Sequence, residues 1–202
     1  MNFINKILKR LLDIVASGIG IIILSPILII ISIIIKITSR GPIFFKQVRV
    51  GKNEKKFKIL KFRTMIVDAE KVGKQITVGN DPRITRIGYF LRKYKLDELP
   101  QLINVFIGNM SLVGPRPEVP RYVELYSNEQ RKVFNVKPGI TDLASIRYRD
   151  ENDILGKVDN PDRYYIDVIM QDKLNLNLEY IDKGNVFFDI FIIIKTIVKC
   201  LK

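Results

Sequence analysis

The sequence predicts a mostly α-helical chain with one small β-hairpin, an α+β fold behind a long apolar N-terminal helix. Three observations lead there. An uncharged run of 22 residues, Ile14 to Ile35, is built mostly of Ile and Leu. Two β-branched and aromatic segments, residues 43–50 and 56–65, flank the turn-like Gly51-Lys52-Asn53-Glu54. Beyond them, apolar residues recur at helical spacing in several short stretches. The 202 residues are room for one domain with an appendage.

The apolar run is long enough to cross a bilayer, which takes about 20 residues, and no signal-peptide cleavage pattern follows it. Ser25-Pro26 interrupts it at the midpoint. Pro26 has no amide hydrogen, so it frees the carbonyl four residues back and bends the helix. The Ser25 hydroxyl can take up that freed group inside lipid. Both flanks are basic, with Lys6, Lys9 and Arg10 before and Lys36, Arg40, Lys46 and Arg49 after. Positive segments favour the cytoplasmic side. A helix that dips into one leaflet and returns satisfies both ends, whereas a Pro-kinked span satisfies one. The expected organisation is a re-entrant membrane helix over residues 1–36 and a cytoplasmic, membrane-associated unit over residues 37–202.

Charge follows the same division. The chain has a formal net charge of +13, and residues 1–63 hold 13 Lys and Arg against only Asp13 and Glu54. Cations that flank a lipid-like run suit anionic headgroups. Nucleic-acid readers instead interleave aromatic and basic groups on an exposed face, so no nucleic-acid partner is expected. The chain has no His, which removes Ser-His-Asp triads and His-bearing metal sites. Its one cysteine, Cys200, excludes an intramolecular disulfide and Cys-x-x-Cys knuckles. Gly18-x-Gly20 lacks a third glycine and lies inside the apolar run, so it is no dinucleotide fingerprint.

After the hairpin, residues 66–80 read as a loop. Asp81-Pro82 has the form of a helix start, Asp as N-cap and Pro in the first helical position. Ile84, Ile87, Leu91 and Tyr94 then share one face, with Arg83 and Arg86 together on another. A short helix is expected from Asp97 to Phe106, a rigid loop at Gly114-Pro115-Arg116-Pro117 and helix over residues 118–134. Asn160-Pro161 caps a helix running towards the 170s. Val186–Leu201, interrupted by Asp189, Lys195 and Lys199, reads as an interfacial or core helix.

Asp97-Glu98 is the first chemical candidate, because a helix start stabilises negative charge. An N-cap followed by a first-turn acid accounts for the same pair. The surrounding cations distinguish it. Lys61 and Arg63 stand two apart in an extended segment, which points them to one side. Arg83, Arg86 and Arg92 crowd the preceding helix. Arg116 sits in a backbone fixed by two prolines, suited to hold a guanidinium on a bidentate anion. Each arginine alone also fits a solvated face. Cations converging on two carboxylates suggest a phosphate-rich substrate with Mg²⁺ between phosphate and carboxylate, chemistry that needs no His.

Assembled, these segments resemble the bacterial sugar transferases, the monotopic polyprenyl-phosphate phosphoglycosyl transferases in their minimal catalytic form. The resemblance is carried by Leu24-Ser25-Pro26, Phe45-Lys46-Gln47-x-Arg49-x-Gly51, Lys61-Phe62-Arg63-Thr64-Met65 and Asp81-Pro82-Arg83-Ile84-Thr85-Arg86-Ile87-Gly88. It continues through Leu96-Asp97-Glu98-Leu99-Pro100-Gln101-Leu102-x-Asn104, Met110-Ser111-Leu112-Val113-Gly114-Pro115-Arg116-Pro117 and Lys137-Pro138-Gly139-Ile140-Thr141. It implies a helix-break-helix at Ser25-Pro26, re-entrant on the cytoplasmic face of the bacterial inner membrane. It implies transfer of a sugar-1-phosphate from a UDP-sugar to a polyprenyl (undecaprenyl) phosphate with release of UMP, a first membrane step of glycoconjugate assembly. Asp97 would be the nucleophile that forms an aspartyl-phosphosugar intermediate, and Glu98 would orient Mg²⁺ or assist the acceptor. Arg92 and Arg116 would bind phosphate, with Lys61 and Arg63 in support and Arg147 at the sugar or nucleotide pocket. The chain departs from the family pattern at Lys95, Asn109 and Asp142. The competing expectation is a non-catalytic, membrane-anchored basic adaptor.

Overall fold

A computed structural model describes residues 3–69 and 81–201, with the side chains of 200 and 201 excluded. The loop expected over 66–80 therefore falls largely outside the described residues. Helix α1, Phe3–Thr38, is followed by the antiparallel strands β1, Phe44–Val50, and β2, Lys56–Phe62, in the register Phe44↔Phe62 to Val50↔Lys56. Their connection is a tight turn at Lys52–Glu54, where Asn53 and Glu54 take positive φ. The mostly helical fold and the hairpin are borne out.

α1 keeps its helical assignment through Pro26 instead of parting into two elements. Ser25 Oγ donates to Ile22 O at 2.8 Å, and Ile22 is the residue whose carbonyl Pro26 leaves without an amide. This is the one helix among the described residues long and apolar enough to cross a membrane.

Helix α2, Arg86–Lys93, begins later than expected. Its N-cap is Thr85, whose hydroxyl accepts from Gly88 N at 3.0 Å. Asp81 spends its carboxylate on Arg83, so Asp81-Pro82 opens a turn and not a helix. A short turn at Leu96–Glu98 leads into α3, Gln101–Phe106. Strand β3, Ser111–Val113, then pairs in parallel with β4, Gly139–Thr141, a contact between segments that the sequence pattern left unjoined. Between them lie α4, Pro120–Val123, and a turn at Gln130–Asn135, so the helix expected over 118–134 is two short pieces. Helices α5, Leu143–Arg147, and α6, Glu151–Leu155, follow. Asn160 caps α7, Pro161–Tyr164, by accepting from Arg163 N at 3.2 Å. A wider helical turn at Tyr165–Ile169 carries the chain into α8, Met170–Lys183, and α9, Val186–Leu201, closes it.

Both halves of α1 are seated on this domain. In the first half, Arg10 donates to the Val105 and Phe106 carbonyls at the end of α3 (2.8 and 2.9 Å), where a cation also meets the helix dipole. Gly18 and Gly20 face Phe106 and Leu102 of α3, and a Cβ on Gly20 would reach Leu102 at 3.3 Å. Asp13 accepts from Ser111 Oγ and Leu112 N, and Lys9 pairs with Asp189 of α9. In the second half, Ile31 and Ile35 pack with Phe62 and Leu91. The residues between, including Ile22, Ile23, Ile29 and Ile30, are exposed. α9 likewise buries Ile192 and Asp189 on one side and exposes Phe187, Phe191, Ile194 and Ile197 on the other.

Arg63 does not share a side with Lys61. β2 ends at Phe62, so strand alternation stops short of it. Its buried guanidinium donates to Ser39 O and Oγ (2.8 and 2.6 Å), holding the end of α1. Replacing Arg63 with Ala is expected to cost about 1.5–3 kcal/mol, the range for hydrogen bonds to a charged group. Thermal melting and faster proteolysis near Ser39 would report it; an unchanged melting curve would contradict this role.

Candidate active site

Asp97 and Glu98 lie in the turn that Lys95 opens with a left-handed φ of 55°. That backbone turns neighbouring carboxylates to different surroundings. Asp97 is buried, and its Oδ1 has no hydrogen-bond partner. Glu98 is engaged at both oxygens: Oε1 accepts from Lys61 Nζ at 2.7 Å and from Arg116 Nη2, and Oε2 from Arg116 Nη1 at 3.2 Å.

Three supports fix this geometry. Asn104, on α3, accepts from Leu60 N and donates to Lys58 O, both at 2.9 Å, which clamps α3 to β2 and sets Lys61 opposite Glu98. The loop at 114–117 is tied to β4 by Gly114 N to Thr141 O (3.1 Å) and Gly139 N to Pro115 O (3.0 Å). Here the backbones meet so closely that a Cβ on Gly139 would stand 2.1 Å from Gly114 N. Third, the fully buried Asp142 accepts from Arg116 N at 3.0 Å through one oxygen and from Ser145 N at 2.5 Å through the other. Asp142 thus ties the arginine loop to the start of α5.

Electrostatics separates the two acids. Burial, reinforced by the neighbouring Glu98 charge, raises the Asp97 pKa, while Lys61, Arg92 and Lys95 pull it down in part. Burial also opposes ionisation of Glu98, but Arg116 and Lys61 outweigh it and hold that carboxyl well below the usual range. Burial lowers the Lys61 pKa against the pull of Glu98. The Glu98 charge raises that of Arg116. Asp97 is thus a buried acid of raised pKa beside one that Lys61 and Arg116 hold ionised. Perturbed pairs of this kind mark reactive sites.

Of the cations expected here, Lys61, Arg92 and Arg116 gather at the acids. Arg92 donates from Nε to Thr64 Oγ1 at 2.9 Å, and Asp97 acts on its charge. The others do not gather. Arg83 is bound to Asp81 (Nη2 to Oδ2, 2.6 Å) and donates to Ala69 O, which staples its own loop. Arg86 is exposed on α2. Arg147 is exposed at the end of α5 and pairs with Asp172 at 3.2 Å. Asp97, Gln101 and Asn104 are all buried at a helical i, i+4, i+7 spacing. That polar stripe singles out Asn104, which also closes the 96–104 motif.

No group of three or more His, Cys, Asp or Glu is arranged to hold a metal among the described residues. The unpartnered Asp97 Oδ1 fits a single carboxylate ligand for a Mg²⁺ that takes its remaining ligands from phosphate and water. Glu98 fits less well, because Lys61 and Arg116 already occupy its oxygens.

The model for the family "Bacterial sugar transferase" matches residues 4–202. The UDP-glucose:undecaprenyl-phosphate glucose-1-phosphate transferase of Escherichia coli K12 is 41% identical over 201 residues, covering 97% of this chain and 40% of that protein. The UDP-N-acetylgalactosamine-undecaprenyl-phosphate N-acetylgalactosaminephosphotransferase of Aeromonas hydrophila is 40% identical over 167 residues, 79% of this chain and 39% of that protein. The exopolysaccharide production protein PSS of Rhizobium leguminosarum is 39% identical over 200 residues, 95% of this chain and 94% of that protein. The chain thus spans about two fifths of the length of the first two relatives and nearly all of the third.

Proposed function

The chain belongs to the bacterial sugar transferase family, and we infer from that premise and from the site that it moves a sugar-1-phosphate from a UDP-sugar to undecaprenyl phosphate, releasing UMP. One observation carries the reading: a buried carboxylate with a free oxygen, Asp97, set beside an acid already neutralised by Lys61 and Arg116. A non-catalytic adaptor has no use for an orphaned, buried carboxylate, which costs stability.

In the first step an Asp97 oxygen attacks the β-phosphorus of the donor. The bond from that phosphorus to the bridging oxygen breaks, and UMP leaves with the electron pair. In the second, an oxygen of the lipid phosphate attacks the same phosphorus and the aspartyl carboxylate departs. The raised pKa makes the ionised Asp97 a better nucleophile than a solvated aspartate. Arg92, Arg116 and Lys61 lower the cost of bringing anion to anion. Glu98 fixes the two cations that flank it. Mg²⁺, held by Asp97 and substrate phosphates, would add charge neutralisation at the diphosphate.

The seating of both halves of α1 on one domain supports re-entry from the cytoplasmic face, because a span would carry one half about 30 Å away. The exposed apolar residues of α1 and α9 then face lipid, which brings the site to a lipid-borne phosphate. The test is a panel of UDP-sugars offered to the full chain with undecaprenyl phosphate, reading UMP. One donor is expected to release UMP only when lipid phosphate is present at turnover levels; silence across the panel would reject the reading. In the same assay Arg86→Ala and Arg147→Ala are expected to stay within about twofold of the parent, since neither reaches the acids. A tenfold loss in either would place it in the site.

A further inference from the structure

The first half of α1 carries two charged side chains that an apolar anchor has no need of. Asp13 is only 3% exposed, and Lys9 reaches inward to the buried Asp189 of α9. Taking ions out of water is costly, and apolar residues of similar size often seat a helix as well or better. What buried ions do well is fix register, because a misplaced ion is left unpaired. The Ile-rich remainder of α1 does little to choose one register over the next.

Both side chains end on β3. Asp13 Oδ1 accepts from Leu112 N at 2.9 Å and from Ser111 Oγ at 3.0 Å. Lys9 Nζ donates to Val113 O at 2.9 Å. The same ammonium stands 3.3 Å from Tyr180 Oη, which in turn donates to Asp189 Oδ1 at 2.6 Å. β3 is three residues long, and β4 is its one strand neighbour among the described residues. So short a pair is marginal by itself, and side chains of α1 do for β3 what a third strand would.

β3 runs straight into the arginine loop, since Val113 is followed by Gly114-Pro115-Arg116. β4 ends at Thr141, next to the Asp142 that accepts from Arg116 N. Hydrogen bonds and chain connectivity therefore lead without a gap from α1 through β3 and β4 to the Arg116 backbone.

We propose that Asp13 and Lys9 are positioning residues for the transfer: they hold α1 in one register on β3, and through β3 they set Arg116 against Glu98. The inference rests on the transfer reading above. It makes the membrane helix part of the scaffold of the active site as well as its anchor.

The full chain in lipid vesicles, supplied with an active donor and undecaprenyl phosphate, tests this through UMP release. Asp13→Ala is expected to lower kcat by about tenfold to a hundredfold, the scale of a small misplacement of a group that acts on the transition state. Asp13→Asn keeps an acceptor oxygen in the same place and should stay within about threefold of the parent. Lys9→Met combined with Asp189→Asn removes the ion pair from both sides, so no buried charge is stranded, and should lower kcat by about tenfold. The deciding measurement repeats Asp13→Ala and the double variant in an Arg116→Ala background. If they act through Arg116, each should cost no more than about twofold further there. The same loss in both backgrounds would overturn the positioning role and leave the transfer reading intact. Loss of the variants from the vesicle pellet in step with activity would assign the effect to anchoring and overturn it too. A parent chain that releases no UMP from any donor would instead defeat the transfer reading, and this inference with it.

Discussion

Asp97→Asn is expected to abolish turnover, by about 10⁴-fold or more, because the attacking oxygen pair becomes an amide that cannot form the phosphoenzyme. The same variant is expected to be more stable than the parent at neutral pH. Burial raises the folded-state pKa of Asp97 above its unfolded value, so the folded protein binds more protons between those two values. Its contribution to stability is whole below the unfolded pKa, near about 3.9, and declines as pH rises through the folded one. An amide avoids that loss. The melting temperature should therefore rise in Asp97→Asn at pH 7, and the gap should close towards pH 4. A gain of 1 kcal/mol would appear as about 2–4 °C. Intact-protein mass spectrometry should show a sugar-phosphate adduct on the parent when the lipid acceptor is withheld, and none on the variant. Turnover by Asp97→Asn at the parent's rate would end the covalent mechanism.

The second large effect belongs to Glu98→Gln. Removing this charge leaves Lys61, largely buried, and Arg116 facing a neutral amide. Breaking a buried pair from one side costs about 3–5 kcal/mol, and the partial exposure of Arg116 places the loss here towards the lower end. The pH profile separates this from simple destabilisation. Glu98 is one of the causes that raise Asp97, whereas Lys61 lowers it. Without the Glu98 charge the Asp97 pKa falls, so the acidic limb of the rate profile should move to lower pH even as the maximal rate drops by roughly 10²-fold. A limb that stays in place, or moves up, would show that the two carboxylates are not coupled in this way.

Much of the architecture was legible because it is local. The hairpin follows from two β-branched segments around Gly51-Lys52-Asn53-Glu54, and Asn160 caps its helix through a bond three residues away. The pairing of Ser25 with the carbonyl that Pro26 leaves vacant is likewise a short-range consequence of two adjacent residues. Local reading failed where a side chain had a choice of partner. Asp81 looked like an N-cap and binds Arg83; Arg63 looked like a partner of Lys61 and binds Ser39. In both cases an arginine reached a better acceptor than pattern alone could reveal.

By itself the sequence singled out carboxylates and cations as the candidate chemistry, with Asp97-Glu98 and Gly114-Pro115-Arg116-Pro117 as its candidate poles, and an apolar helix in the same chain. Residue type and order are enough for that. The tertiary structure alone decided which of seven candidate cations meet the acids, and that Asp142 holds the arginine loop. It also decided that Asp97, not Glu98, keeps a free oxygen. The reason is physical: a carboxylate's pKa and reactivity depend on how much water it has lost and which charges stand within a few ångströms. Those neighbours come from β2, α2 and the 114–117 loop, which only folding brings together.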